Sequence, residues 1–205
     1  MVLIPAGPFL FGKDLQELHL DDYFIDIYPV TNDEYRRFVI AADYKEPSHW
    51  RGRFDSKTAK LPVVNVGWKD AMAYCKWANK ELPTNEHWEK AARGPEGKKY
   101  PWGRDYSTKN CNVRESGLGK LTPVDKFPKG KSHFDCFDML GNVYEWTQET
   151  YFGDENSRCL RGCSYRSYLG CADWVTKGLI KPDSGRGDIG FRCVMSLETW
   201  DTLRA

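Results

Sequence analysis

The chain has no apolar run long enough for a membrane helix, and no basic stretch leading into an apolar one opens it. Bilayer insertion and a removable export leader are therefore not expected. A surplus of charge is missing too. Thirty Lys and Arg stand against 29 Asp and Glu, a net charge of +1, with the bases scattered. That balance sets up no field for nucleic acid or an anionic membrane. C-x-x-C is absent, and His19, His49, His87 and His133 lie far apart, so zinc sites of the familiar spacings are excluded. Seven cysteines cannot all pair within one chain. One or two disulfides are compatible with the sequence, which does not say which residues would pair. Most of the cysteines read as small buried apolar groups. With no internal repeat and no linker, residues 1–205 read as one domain.

Aromatic residues are plentiful, with 8 Trp, 11 Tyr and 10 Phe to build a core. Short strand pieces are expected before residue 12, then a strand from Leu18 to Tyr28 with a bend at Asp21-Asp22. Thr31-Asn32-Asp33-Glu34 reads as a capping box that starts a helix running to about Ala42. Residues 43–60 read as a polar surface loop. Trp68 opens a second helix, whose Ala71, Cys75 and Ala78 share one face. Thr84 caps a third helix, Asn85 to Arg93, stopped by Gly94 and Pro95, with Trp88 facing inward. Trp102 and Trp146 read as core aromatics. Arg158–Gly162 and Phe191–Met195 read as core strands.

Between those strands lies the most informative stretch, Leu160 to Arg192. Its ends, Leu160-Arg161-Gly162 and Ile189-Gly190-Phe191-Arg192, read as framework. Its interior is rich in Tyr, Ser, Gly and Arg, carries Trp174, and has no helical or strand period. Long irregular segments inside compact domains are uncommon unless functional. A rigid border around an aromatic, polar interior is the pattern of a binding surface held on a scaffold.

Several segments, in order, resemble the formylglycine-generating enzyme family, also called sulfatase-modifying factors. They are Ile4 to Gly7, Tyr28 to Tyr35, Pro62 to Val66, Leu82 to Gly94, Tyr100 to Gly103, Gly141 to Trp146, Leu160 to Tyr165 and Gly190 to Cys193. Together they cover nearly the whole chain. The resemblance implies an α+β, C-type-lectin-like fold: two or three helices around small mixed sheets with much irregular loop. The family includes copper-dependent oxidases that convert a substrate cysteine to formylglycine, iron enzymes with an extra helical domain, and binding proteins diversified by retroelements.

The oxidases need two cysteines a few residues apart just after the motif that is Gly162-Cys163-Ser164-Tyr165 here, because two thiolates suit Cu(I). The matching places carry Arg166, Ser167, Tyr168, Leu169 and Gly170, then Cys171, so the first cysteine is absent and no copper is expected. The copper oxidase remains the alternative reading. The favoured one is a non-catalytic variable protein. Adenine-directed diversification excludes Trp, Met, Lys, Gln and Glu at its commonest codons. Tyr165, Arg166, Ser167, Tyr168, Leu179, Ile180, Ser184, Arg186 and Asp188 all fall in the permitted set. Trp174 lies between these clusters, an invariable-looking residue expected on the same surface. The segment 165–188 is thus the expected ligand-binding face. Its partner would be a protein or other cell-surface macromolecule, since Tyr and Arg favour broad contact. Display on a cell surface or virion would go through a partner. A coat or adhesin subunit with one fixed partner is a third class. The family's enzymes also bind calcium through a segment that matches Asp138 to Glu145. By that match Asp138 and Glu145 would supply side-chain oxygens, and Gly141 and Val143 backbone carbonyls, to a structural Ca²⁺. The other reading of the two carboxylates is turn capping or pairing with arginine. Arg192 is expected to form a buried ion pair that fixes the sheet.

Overall fold

The computed structural model describes residues 1–151, 154–171 and 177–204, without the side chains of residues 155, 171 and 177–179. Trp174 lies outside the described residues, and of Leu179 only the backbone is described.

The first third of the chain builds two small antiparallel units. β1 (Val2–Ile4) pairs with β4 (Tyr23–Ile25), and β2 (Gly7–Phe11) pairs with β3 (Gln16–Leu20). The expected bend at Asp21-Asp22 is a break. It sends β3 and β4 into different sheets, and β4 goes on to pair with β9 (Val194–Ser196) near the other end of the chain.

Helix α1 (Asn32–Ala41) begins as its sequence indicates. Thr31 Oγ1 accepts from Glu34 N at 3.3 Å, and Glu34 Oε2 accepts from Thr31 N at 2.8 Å. Each bond satisfies an amide that the first turn would otherwise leave open. α2 (Trp68–Trp77) buries Ala71, Tyr74 and Cys75, the i, i+3, i+4 spacing of one helical face. α3 (Asn85–Arg93) starts at Thr84, whose hydroxyl accepts from His87 N, and ends at Gly94, where φ is +69°. Its Trp88, Ala91 and Ala92 are fully buried.

The second half carries a four-stranded sheet in the order β7-β6-β5-β8. β5 (Tyr144–Tyr151) and β6 (Asp154–Arg161) form its long antiparallel pair. β7 (Lys177–Ile180) extends one edge, and β8 (Ile189–Gly190) joins β5 in parallel. A short α4 (Leu197–Thr202) follows β9, and its Trp200 stacks on Phe24 at 4.1 Å. Of the strand expected across Phe191–Met195, only Val194 and Met195 are strand, in β9; Phe191–Cys193 link it to β8, which lies in a different sheet.

The largest core cluster joins α1, α2 and the β5/β6 pair through Tyr35, Phe38, Tyr74, Trp146, Leu160 and Phe191. A second cluster packs α3 on β1 and β4 through Trp88, Ile4 and Ile25. A third, with Tyr100, Cys111, Leu140, Cys163 and Leu169, lies beneath the loop that follows β6. Trp146 is fully buried, as expected. Trp102 is not a core residue: it is half exposed and stacks flat on Tyr100. The six cysteines whose side chains are described are all buried, and the thiols of Cys75 and Cys193 lie 3.4 Å apart.

Candidate functional site

Both borders of the 160–192 stretch are riveted by buried arginines. Arg192 donates from Nε and Nη2 to the two oxygens of Glu145, at 2.7 and 2.8 Å. Its remaining N–H groups go to the carbonyls of Asp26, Ile27 and Phe137. Trp88 Nε1 adds a bond of 2.8 Å to Glu145. All five guanidinium donors are therefore used inside a site closed to water, the condition under which a buried pair persists. At the other border, Arg161 pairs with Glu89 of α3, which also receives Arg93 and the Gly12 amide.

Between the borders the chain forms two loops. The first turns on serines. Ser167 N donates to Ser164 O, Ser164 N donates to Ser167 Oγ, and Tyr144 OH meets Ser167 Oγ at 2.7 Å. Glu115 accepts from the Leu169 amide at 3.0 and 3.1 Å, and Arg114 N donates to Ser167 O. This bracing leaves Arg166 exposed, Tyr168 49% exposed and Tyr165 half buried at the rim. Arg166 Nε donates to Tyr165 OH at 2.9 Å, and the Arg114 guanidinium lies 4.6 Å over the Tyr168 ring.

The second loop, residues 181–188, lies on the segment before α2. Asn65 N donates to Arg186 O, and Trp68 N donates to Pro182 O at 2.7 Å. The backbones come so close that a Cβ on Gly185 would stand 2.6 Å from the carbonyl carbon of Asn65. Ser184 is half buried and Arg186 exposed.

The structure thus gathers Tyr165, Arg166, Ser167, Tyr168, Ser184 and Arg186 on two neighbouring braced loops, with Ser167 turned to bracing. Two expected members do not belong on the surface. Asp188 is 2% exposed. It accepts two bonds from Arg186 and one from Ser164 Oγ, so it ties the loops together from below. Ile180 is half buried against the largest core cluster, on an edge strand paired with β6. Arg114, Glu115, Tyr144 and Asn65, none singled out from sequence, complete the site. They are distant along the chain, and no local pattern marks them.

The segment from Asp138 to Glu145 does not fit a two-carboxylate calcium cage. Both oxygens of Glu145 are held by Arg192 and Trp88. The carbonyl of Gly141 already accepts from Val143 N. Asp138 gives one oxygen to Asn142 Nδ2 at 2.7 Å and keeps the other buried without a partner. Burial raises its carboxyl to about 7. One such oxygen is a poor calcium site. Among the described residues no group of three or more His, Cys, Asp or Glu is placed to hold a metal ion.

A family model described as the sulfatase-modifying factor enzyme 1-like domain matches residues 1–197. A mouse protein named inactive C-alpha-formylglycine-generating enzyme 2 is 31% identical, over 96% of this chain and 85% of its own length. Among solved structures, PvdO from Pseudomonas aeruginosa superposes with a TM-score of 0.80 at 22% identity, covering 95% of this chain and 93% of that one. Treponema denticola variable protein 1 gives 0.71 at 22% identity, covering 96% and 94%. The fold is the α+β, C-type-lectin-like arrangement that the sequence motifs imply. Among the described residues no helix is long and apolar enough to cross a membrane.

Proposed function

The chain belongs to the sulfatase-modifying factor enzyme 1-like family, and from that premise we propose that it is a binding member rather than an oxidase. Its recognition surface would be centred on Tyr165, Arg166, Tyr168, Ser184 and Arg186, and would meet a protein or other surface macromolecule. The observation that carries the reading is the contrast within one stretch. The borders are pinned by Arg161 and Arg192 in water-free ion pairs, while Tyr168 and Arg166 stand in solvent. Such an arrangement lets rim side chains change without disturbing the core, as diversification by a retroelement requires. Tyr makes large contacts for few frozen torsions, and Arg supplies many hydrogen-bond donors.

Two further facts support it. The places that match the oxidases' first cysteine carry Arg166 to Gly170, and Ser167 there is tied to Tyr144 and Ser164. One relative is named inactive, and one protein of like fold is named variable. Sequencing around the gene should find a reverse transcriptase and a near-copy of the segment encoding residues 165–188. A neighbourhood with neither would leave a fixed-partner adhesin as the better reading. Incubating copper-loaded protein with a cysteine-containing sulfatase peptide should yield no formylglycine by mass spectrometry; its appearance would establish the oxidase instead.

A further inference from the structure

Beside the candidate surface, the loop after α1, the start of α2 and the loop 181–188 enclose a cavity of about 300 Å³. Asp183 and Gly185 are on its lining, on either side of the rim residue Ser184. Tyr35 is on the lining too, although it is 1% exposed. Its ring packs on Phe38, Tyr74 and Phe191. Its hydroxyl makes no hydrogen bond among the described residues and is not one of the polar atoms sealed from water, so it faces the cavity. Ser48 Oγ and the Asn65 side-chain amide, on the same lining, have no partner among the described residues either.

The charged side chains of the lining are Lys45, Glu46, Asp70 and Asp183, and each carboxylate is already met. Asp70 accepts from Lys45 Nζ at 3.0 Å, and from Tyr44 OH and Gly67 N at 2.9 Å each. Asp183 pairs with Lys69 at 3.2 Å, and Glu46 accepts from the Gly52 amide. A cationic ligand would meet Lys45, and an anionic one would meet three carboxylates. A hydroxyl group suits both sides, because it accepts from an ammonium and donates to a carboxylate in charge-assisted bonds. The Lys45–Asp70 pair sets such a donor and acceptor side by side, and neighbouring hydroxyls on one ring can serve each. Tyr35, Ser48 and Asn65 add groups that both donate and accept. Pro47 and Val66 give apolar wall for the C–H face of a ring.

We propose that this cavity receives a neutral polyhydroxylated ring, a terminal sugar unit of a glycan on the partner's surface. The volume is at the small end for ligand sites and suits a single ring. The sugar follows from the lining alone; its attachment to a surface partner rests on the recognition reading above.

In assigned ¹⁵N–¹H spectra of the full chain, the amides of Gly67 and Gly185 report on the lining. At least one of the methyl glycosides of glucose, galactose, mannose and N-acetylglucosamine should shift both saturably, with a Kd on the order of millimolar for so few atoms. Methylguanidinium and acetate should leave both peaks in place. Tyr35→Phe keeps the ring and removes the hydroxyl, and should weaken the glycoside about three- to tenfold, the worth of one hydrogen bond. Should that variant not fold, Ser48→Ala, at an exposed position, carries the same test. Peaks that ignore all four glycosides, that move equally with the ions, or that respond equally in parent and variant overturn the proposal. Binding of free sugars but not of their methyl glycosides overturns the chain-linked unit. A gene with no template nearby would sink the variable-protein reading and leave these shifts in place, whereas absent shifts would strike the cavity and leave the rim.

Discussion

Arg192 shows how a single residue can be structural and still govern the candidate site. Its guanidinium bonds Glu145 through two N–H groups and three backbone carbonyls through the rest, all out of reach of water. Arg192→Met should therefore lower unfolding free energy by about 3–5 kcal/mol, because it strands Glu145 as a lone buried charge. Replacing both partners with apolar residues should cost less than the two single changes summed, as read from denaturant titrations. His87 answers to pH. Burial lowers its pKa; its ring packs 4.4 Å from Tyr23, and its Nδ1 meets Thr84 Oγ1 at 3.1 Å. Between the depressed folded value and the ordinary 6.5, the unfolded chain binds the extra proton. The stability this group contributes is thus present above pH 6.5 and lost as pH falls below it. The Tm advantage of the parent over His87→Gln should be largest near pH 7.5 and shrink toward pH 5.5, and an advantage that does not change over that range would remove His87 from the account.

At the scale of elements, the two loops of the candidate site are held by different means. Residues 181–188 lie flush on the segment before α2, with Gly185 against the Asn65 carbonyl. Gly185→Ala should lift that loop, cost on the order of 1–3 kcal/mol by overpacking, and expose the Asn65 amide to hydrogen exchange. The loop after β6 instead depends on Glu115, whose carboxylate accepts the Leu169 amide with both oxygens. Glu115→Gln should speed exchange at Leu169 while Tm moves little, since Tyr144 and Ser164 still hold Ser167. Equal loss of protection in β5 would mean that Glu115 supports the sheet and not the loop.

For the whole molecule, the proposal divides the chain into a frame that resists change and a rim that tolerates it. Joint replacement of Tyr165, Arg166 and Tyr168 by Ala should shift unfolding free energy by about 1–2 kcal/mol, since two of the three are exposed and Tyr165 is half buried, whereas Arg161→Ala should cost several times a single one of these changes. Arg186 is the exception on the rim, because its loss leaves the buried Asp188 with Ser164 alone. Comparable losses for the triple variant and for Arg161→Ala would contradict the division.

Much of this architecture is local, and so it can be read from sequence. Thr31 and Glu34 lie three residues apart, and the capping box they form needs nothing beyond that spacing. Thr84 and Gly94 bound α3 for the same reason, and Trp88 faces inward because the helical period puts it there. The motif order carried the family. What the tertiary structure alone decided are contacts between distant segments. The parting of β3 from β4 depends on partners found elsewhere in the chain. Which residues of 165–188 meet water is settled by Arg114, Glu115, Tyr144 and Asn65 approaching from three other places. Glu145 looks like a free carboxylate in one dimension, and is committed to Arg192, far along the chain, in three. Spacing along a chain determines hydrogen bonds within a turn, but the partner of a buried charge is set by packing, which no local pattern encodes.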